Sequence, residues 1–179
     1  MNILFSEREC LIFKKKKENM KSRIVITLLL IMIIMVNACS KVESQTRAGS
    51  GKAGDFTLNN VAGEEITLSE ESVGKKGVLV FFATWCPSCM SEVPAVNRFY
   101  EKYKDKVFLT AVNIQESGAK VAGFMSKKNV LYPILLDEKG NVVRQYQVRG
   151  IPAVFAFDEN RTILYSGHSI EEMERKVQF

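Results

Sequence analysis

The run Val78-Leu79-Val80-Phe81-Phe82-Ala83-Thr84-Trp85-Cys86-Pro87-Ser88-Cys89 decides the fold. Its first six residues are all apolar, rich in Val and Phe, and bounded by polar sequence. That pattern predicts a strand buried on both faces rather than one with a wet side. The strand opens almost at once into two cysteines with two residues between them. If a helix starts there, one turn brings both sulfurs to its N-terminal end, within disulfide range. The unpaired N–H groups and the positive end of the helix dipole then favour a thiolate over a thiol. The spacing alone also suits zinc and haem. A four-cysteine zinc site needs a second pair or nearby histidines, and none follows. Haem attachment needs His directly after the second cysteine, where this chain has Met90. A plain structural disulfide would close too small a loop to stabilise much. Reversible dithiol chemistry leads.

Reading outward, Ser88 to about Tyr103 is predicted as a helix, with Val93, Val96, Phe99, Tyr100 and Tyr103 at helical spacing. Pro94 lies inside it and is expected to kink it. Val107–Asn113 is the next strand and Lys120–Lys128 a helix with Val121, Phe124 and Met125 inward. Ile134–Leu136 is a short strand. Asp137–Asn141 is turn chemistry, followed by a brief helix over Val142–Tyr146. Ala153–Asp158 and Thr162–Tyr165 form a hairpin around Glu159-Asn160-Arg161, and Ile170–Val177 is a closing helix. Upstream, Phe56–Leu58 and Glu65–Leu68 flank Asn59–Gly63 as a leading hairpin. Alternating strands and helices with a terminal hairpin make an α/β sheet of mixed direction.

The N-terminal third is built differently. Ile24–Val36 is apolar but for Thr27, follows Lys21 and Arg23, and is shorter than the ~20 residues that span a bilayer. A basic stretch, a short apolar core and small residues after it describe an export signal. Met20 would start a signal of ordinary proportions, leaving residues 1–19 as a non-native or cytoplasmic extension. An uncleaved signal anchor is the alternative, and it keeps the domain on the same side of the membrane. Residues 39–54 are polar and Gly-containing and are expected to be a flexible tether, with the domain proper over 55–179. Of the net +5, the leader supplies +4: from Cys39 onward there are 18 Lys/Arg against 17 Asp/Glu. Nothing in that balance suggests a nucleic-acid partner.

Strand, Trp-Cys-x-x-Cys, a helix with an internal proline and a later Gly150-Ile151-Pro152 before a strand together resemble a thioredoxin fold over residues 56–178 or so. More narrowly, the chain resembles the membrane-tethered TlpA/ResA-like branch of thiol–disulfide oxidoreductases, within the wider AhpC/TSA-like redoxins. Pro94 lies eight residues beyond Cys86, as that family's helix proline does. Glu92 matches an acidic residue typical of the branch. The segment around Asn113–Val130 resembles its extra strand–helix insertion between the dithiol helix and the proline loop. There are departures. The buried Asp that thioredoxin keeps before its dithiol is Val80 here, and Ala153 replaces an acidic residue often found after the loop proline in the cytochrome-maturation branch. Asn160-Arg161 stands where the last turn often has Gly.

Roles follow. Cys86, first in the motif and expected to be the more exposed sulfur, is the nucleophile that attacks a partner disulfide, and Cys89 resolves the mixed disulfide. Glu92, at i+3 from Cys89, is expected to accept its proton, with desolvation raising the carboxyl's pKa. The resemblance implies that Pro152 is cis and exposes the backbone of Ile151 to an extended substrate. Trp85, Pro87 and Ser88 would shape the docking surface and tune the dithiol. Val36-Asn37-Ala38-Cys39 resembles a bacterial lipobox, which makes Cys39 a lipidation site on an exported, membrane-anchored protein. The lone His168 is expected to face solvent. No metal and no cofactor beyond the dithiol are implied. The implied partners are extracytoplasmic protein thiols and disulfides and a membrane electron relay, and the implied state is a monomer. A disulfide-introducing oxidase and a non-catalytic adaptor or metallochaperone remain open readings of the same residues.

Overall fold

A computed structural model describes residues 51–179. The lipobox-like Cys39, the signal and most of the expected tether lie outside that range. Seven strands form one sheet in the order β2-β1-β5-β4-β3-β6-β7. They are β1 Thr57–Asn60, β2 Glu65–Thr67, β3 Lys76–Phe82, β4 Val107–Ile114, β5 Ile134–Asp137, β6 Ala153–Phe157 and β7 Ile163–Gly167. The helices are α1 Leu68–Glu71, α2 Pro87–Tyr103, α3 Gly118–Lys128, α4 Asn141–Gln145 and α5 Ile170–Lys176. This is the expected mixed α/β thioredoxin architecture. None of the described helices is long and apolar enough to cross a membrane.

The centre of the sheet is β3, parallel to β4 on one side and antiparallel to β6 on the other. Its unbroken apolar run is explained by what lies on each face. Val78, Val80 and Phe82 pack with Val93, Val96 and Phe99 of α2 and Ile170 and Met173 of α5. Leu79 and Phe81 face the other way, onto Phe56, Leu68, Val142 and Tyr146. Successive side chains of a strand alternate faces, so two cores require two interleaved apolar sets. Val80 lies on the dithiol face, in one apolar cluster with Cys86 and Cys89.

The leading hairpin pairs β1 with β2, and β1 continues the sheet by running antiparallel to β5. Its turn is shorter than expected, because Asn59 and Asn60 belong to β1. Asn60 Oδ1 accepts from the Ala62 and Glu64 amides and closes the turn. The single turn α1 was not expected. It buries Leu68 in the second core. Between α2 and β6, α3 and β5 fill the insertion, with β5 parallel to β4.

The domain begins earlier than residue 55. Lys52 bridges Thr162, the Ala53 amide donates to Arg161 O, and the Ile163 amide donates to Gly51 O. Tyr146 Oη donates to Gly54 O at 2.7 Å, and Ala53 is buried. Residues 51–54 therefore extend the sheet edge at the start of β7, and their expectation as tether is corrected. Their glycines and small side chains read as linker because the segment is held through its backbone, which composition does not register. In the last hairpin turn, Arg161 takes a positive φ of 63° where glycine is cheaper. Asp158 Oδ1 offsets that cost by accepting from the Asn160 and Thr162 amides.

Candidate active site

Helix α2 begins where β3 ends, so the dithiol sits at the C-terminal edge of the central strand. Cys86 is the N-cap residue, in extended conformation, and Pro87 occupies the first turn, where its missing N–H is no loss. The Cys86 and Cys89 Cα atoms are 5.3 Å apart and their sulfurs are joined in a disulfide. The Cys89 amide donates to Cys86 Sγ at 3.2 Å. Cys86 therefore uses sulfur where helices ordinarily use a Ser or Asp oxygen, and the donor that caps the helix is the one that would stabilise a Cys86 thiolate. Ser88 Oγ lies 3.3 Å from the same sulfur and Ile151 O 3.7 Å from it.

The Ile151–Pro152 peptide is cis. The register of β6 against β3 sets Ala153 opposite Phe81, which brings Pro152 to the end of β3 from which the dithiol loop departs. Pro152 is buried and Ile151 half-buried. Trp85 is 66% exposed. Pro87 and Ser88 are exposed as well. Trp85, Pro87, Ser88, Ile151 and Pro152 thus come together around Cys86.

The two sulfurs do not differ in exposure as expected. In this oxidised state Cys86 is 4% and Cys89 3% exposed. Ile151 O and Ser88 Oγ crowd the first sulfur, and the Ile151 contact lies outside the linear motif. What distinguishes Cys86 is its place at the cap, with the helix amide aimed at its sulfur.

Glu92 is half-buried on α2, and its Oε2 accepts from the Ile170 amide at 3.0 Å. The carboxylate thus satisfies an otherwise free N–H at the start of α5. His168, expected in solvent, has an exposed ring whose Nδ1 lies 2.7 Å from Pro152 O. A carbonyl oxygen only accepts, so Nδ1 carries the hydrogen and donates. The turn from β7 to α5 therefore touches both the proline loop and Glu92.

A third group was missed entirely. Glu116, in the loop between β4 and α3, is 7% exposed. Its Oε2 accepts from the Thr84 amide at 2.6 Å and from Asn113 Nδ2 at 2.8 Å. Its Oε1 accepts from Thr84 Oγ1 at 2.6 Å and pairs with Lys120 Nζ at 2.6 Å. Burial alone would raise its pKa, but the bonds from Lys120, Thr84 and Asn113 outweigh burial and hold it down at about 2. Among the described residues, no group of three His, Cys, Asp or Glu side chains is arranged to hold a metal ion.

A disulfide at a helix cap beside a cis-proline is the site geometry of a dithiol exchanger, and comparison with known proteins agrees. The AhpC/TSA family profile matches residues 50–166. The chain belongs to the AhpC/TSA family. Within that thioredoxin-like redox family it is a thiol–disulfide oxidoreductase. It is 33% identical over 162 residues to the thioredoxin-like protein YneN of Bacillus subtilis, covering 84% of this chain and 94% of that one. It is 31% identical over 170 residues to the thiol-disulfide oxidoreductase ResA of Geobacillus kaustophilus, covering 92% and 97%. Among solved structures, StoA of Bacillus subtilis superposes with a TM-score of 0.60 at 27% identity, covering 72% of this chain and 99% of StoA.

Proposed function

We propose that this protein is exported, anchored to the membrane through a lipid on Cys39, and reduces disulfides in other extracytoplasmic proteins. The observation that carries the chemistry is the Cys86–Cys89 pair at the N-terminus of α2, with the Cys89 amide on Cys86 Sγ and the cis Ile151–Pro152 bond alongside. The export signal and lipobox-like segment support the location, and the ResA-like relatives support the direction.

In the reductive cycle the Cys86 thiolate attacks one sulfur of a partner disulfide. A mixed disulfide forms and the partner's other sulfur leaves as thiolate. Cys89, losing its proton to Glu92, attacks Cys86 Sγ. The partner departs with its second thiol, and the protein holds the Cys86–Cys89 disulfide. Two electrons pass from protein to partner. A membrane dithiol relay returns them, because cytoplasmic thioredoxin cannot reach this compartment. The dithiol is the only redox group the reaction needs. Trp85, Pro87, Ser88 and Ile151 form the surface on which the partner lies, and the Ile151 backbone beside the cis bond offers it strand-like hydrogen bonds. Apocytochrome c is one substrate class this would serve. The protein acts as a monomer.

The deciding measurement is the reduction potential of the Cys86–Cys89 couple in the full chain. A value near −270 mV supports the reductase and one near −120 mV an oxidase. Cys89→Ala should accumulate mixed disulfides with the partner in cells. Cys39→Ala should abolish radiolabelled palmitate incorporation and release the protein from membranes, and retention with no change in labelling would refute the lipid anchor.

A further inference from the structure

Two of the four bonds to Glu116 come from Thr84, two residues before Cys86. We propose that Glu116 is a positioning residue for the dithiol, holding the backbone between β3 and α2 so that Cys86 stays at the helix cap. This rests on the thiol–disulfide activity of Cys86 and Cys89 but concerns a residue that touches neither reacting sulfur.

The topology explains why a residue 30 positions downstream can do this. Strands β3 and β4 run parallel with Phe82 opposite Asn113, so both release their chains at the same edge of the sheet. The segment leaving β3 must turn into α2 within four residues, Ala83 to Cys86, and only one backbone bond within that turn fixes it, from the Cys86 amide to Ala83 O at 3.1 Å. Thr84 has its amide and its hydroxyl both donated to Glu116 rather than to a neighbouring strand. The fold accepts a cost to keep this arrangement. Asn113 is fully buried, and a carboxylate can only accept, so Asn113 must turn its Nδ2 to Glu116. That leaves Asn113 Oδ1 buried without a partner. An orphan buried acceptor is destabilising. Lys120, on the first turn of α3, completes the set and balances the charge.

If Thr84 is released, Cys86 can drift from the Cys89 amide, and the thiolate loses the donor that favours it over the disulfide. The reduced form is then the one weakened. Geometry, not charge, would be responsible, since Lys120 neutralises Glu116 where it stands.

The test compares Glu116→Ala, Glu116→Gln and Thr84→Val in the full chain. Each is equilibrated with a glutathione redox buffer, and the Cys86 pKa is read from the pH dependence of alkylation. Glutamine can keep the Thr84 amide bond through its oxygen and donate to Thr84 Oγ1 through its nitrogen, losing only the Lys120 pair. The expected result is a shift of about tenfold toward the disulfide in Glu116→Ala, about 30 mV for a two-electron couple, with the Cys86 pKa raised. Glu116→Gln should stay within about threefold of the parent and Thr84→Val fall between them. A purely structural Glu116 would lower the urea midpoint and leave the exchange constant alone, which overturns the proposal. So does a Gln variant that shifts as far as Ala, since the cause is then charge. If Glu116→Ala does not fold, Thr84→Val decides: an unchanged constant overturns the proposal. The parent run in parallel separates the two readings, because a parent that never exchanges with glutathione refutes the redox assignment itself.

Discussion

Glu92 and Ile170, 78 residues apart in sequence, are joined by a 3.0 Å hydrogen bond from the Ile170 amide to Glu92 Oε2. The bond pins one carboxylate oxygen to the start of α5, and in the proposed cycle the other takes the Cys89 proton. Removing the charge while keeping the acceptor should separate these roles. In Glu92→Gln the amide oxygen can still take the Ile170 N–H, so the urea midpoint should hardly move. Loss of the proton acceptor should change the Cys89 titration and slow resolution of a Cys86 mixed disulfide at least tenfold at neutral pH. Glu92→Ala should add a stability loss of ~1 kcal/mol for the missing cap. An unchanged Cys89 titration in Glu92→Gln would leave the residue a helix cap and nothing more.

His168 fastens the other side of the same turn. Its Nδ1–H donates to Pro152 O, the carbonyl at the entry to β6. His168→Ala should cost about 1 kcal/mol, the usual worth of one protein hydrogen bond, and should slow exchange with an insulin-type protein disulfide more than exchange with glutathione. The small thiol does not rely on the proline loop, whereas a protein substrate pairing with Ile151 does. Equal slowing of both reagents would count against the loop as a docking element.

Much of the fold was legible because its causes are local. The unbroken Val78–Ala83 run could only be a two-faced strand, and the two cysteines with Pro94 beyond them placed α2 to within a residue. The thioredoxin resemblance supplied what no local pattern could, the cis bond before Pro152. What escaped depends on partners distant in sequence. His168 is exposed, as expected, but its bond to Pro152 O, 16 residues away, reaches a backbone atom no motif records. Glu116 lies two residues beyond the mostly apolar strand β4, an odd place for a buried carboxylate, and that was the one available sign. Its meaning needed the parallel register of β3 and β4.

Tyr146 shows how the same blindness affected the domain boundary. Its ring packs with Phe56, Phe81 and Phe155, at centroid distances of 5.3–6.0 Å, and its hydroxyl donates to Gly54 O. Burial, with the Asp55 charge added, pushes the phenol well above its ordinary range, so it stays a donor at any accessible pH. Tyr146→Phe keeps the aromatic packing and strands a buried carbonyl. The expected loss is about 1–3 kcal/mol in urea unfolding, with faster proteolysis in residues 51–55. No change in cleavage there would mean the segment is held by the β7 edge alone.

Glu116 makes a separate prediction about acid. Its carboxyl titrates at about 2 in the folded protein against an ordinary 4.5. Between those values the unfolded chain binds a proton that the folded chain refuses, so its contribution to stability is complete above about pH 5 and is lost as pH falls toward 2. A shift of that size corresponds to roughly 3 kcal/mol. Urea unfolding of the parent and of Glu116→Gln across this range should show the largest difference near neutrality and convergence near pH 2. The other carboxylates are common to both proteins and cancel in the difference. A gap that stays constant with pH would mean that the bonds to Thr84 do not depend on the charge of Glu116.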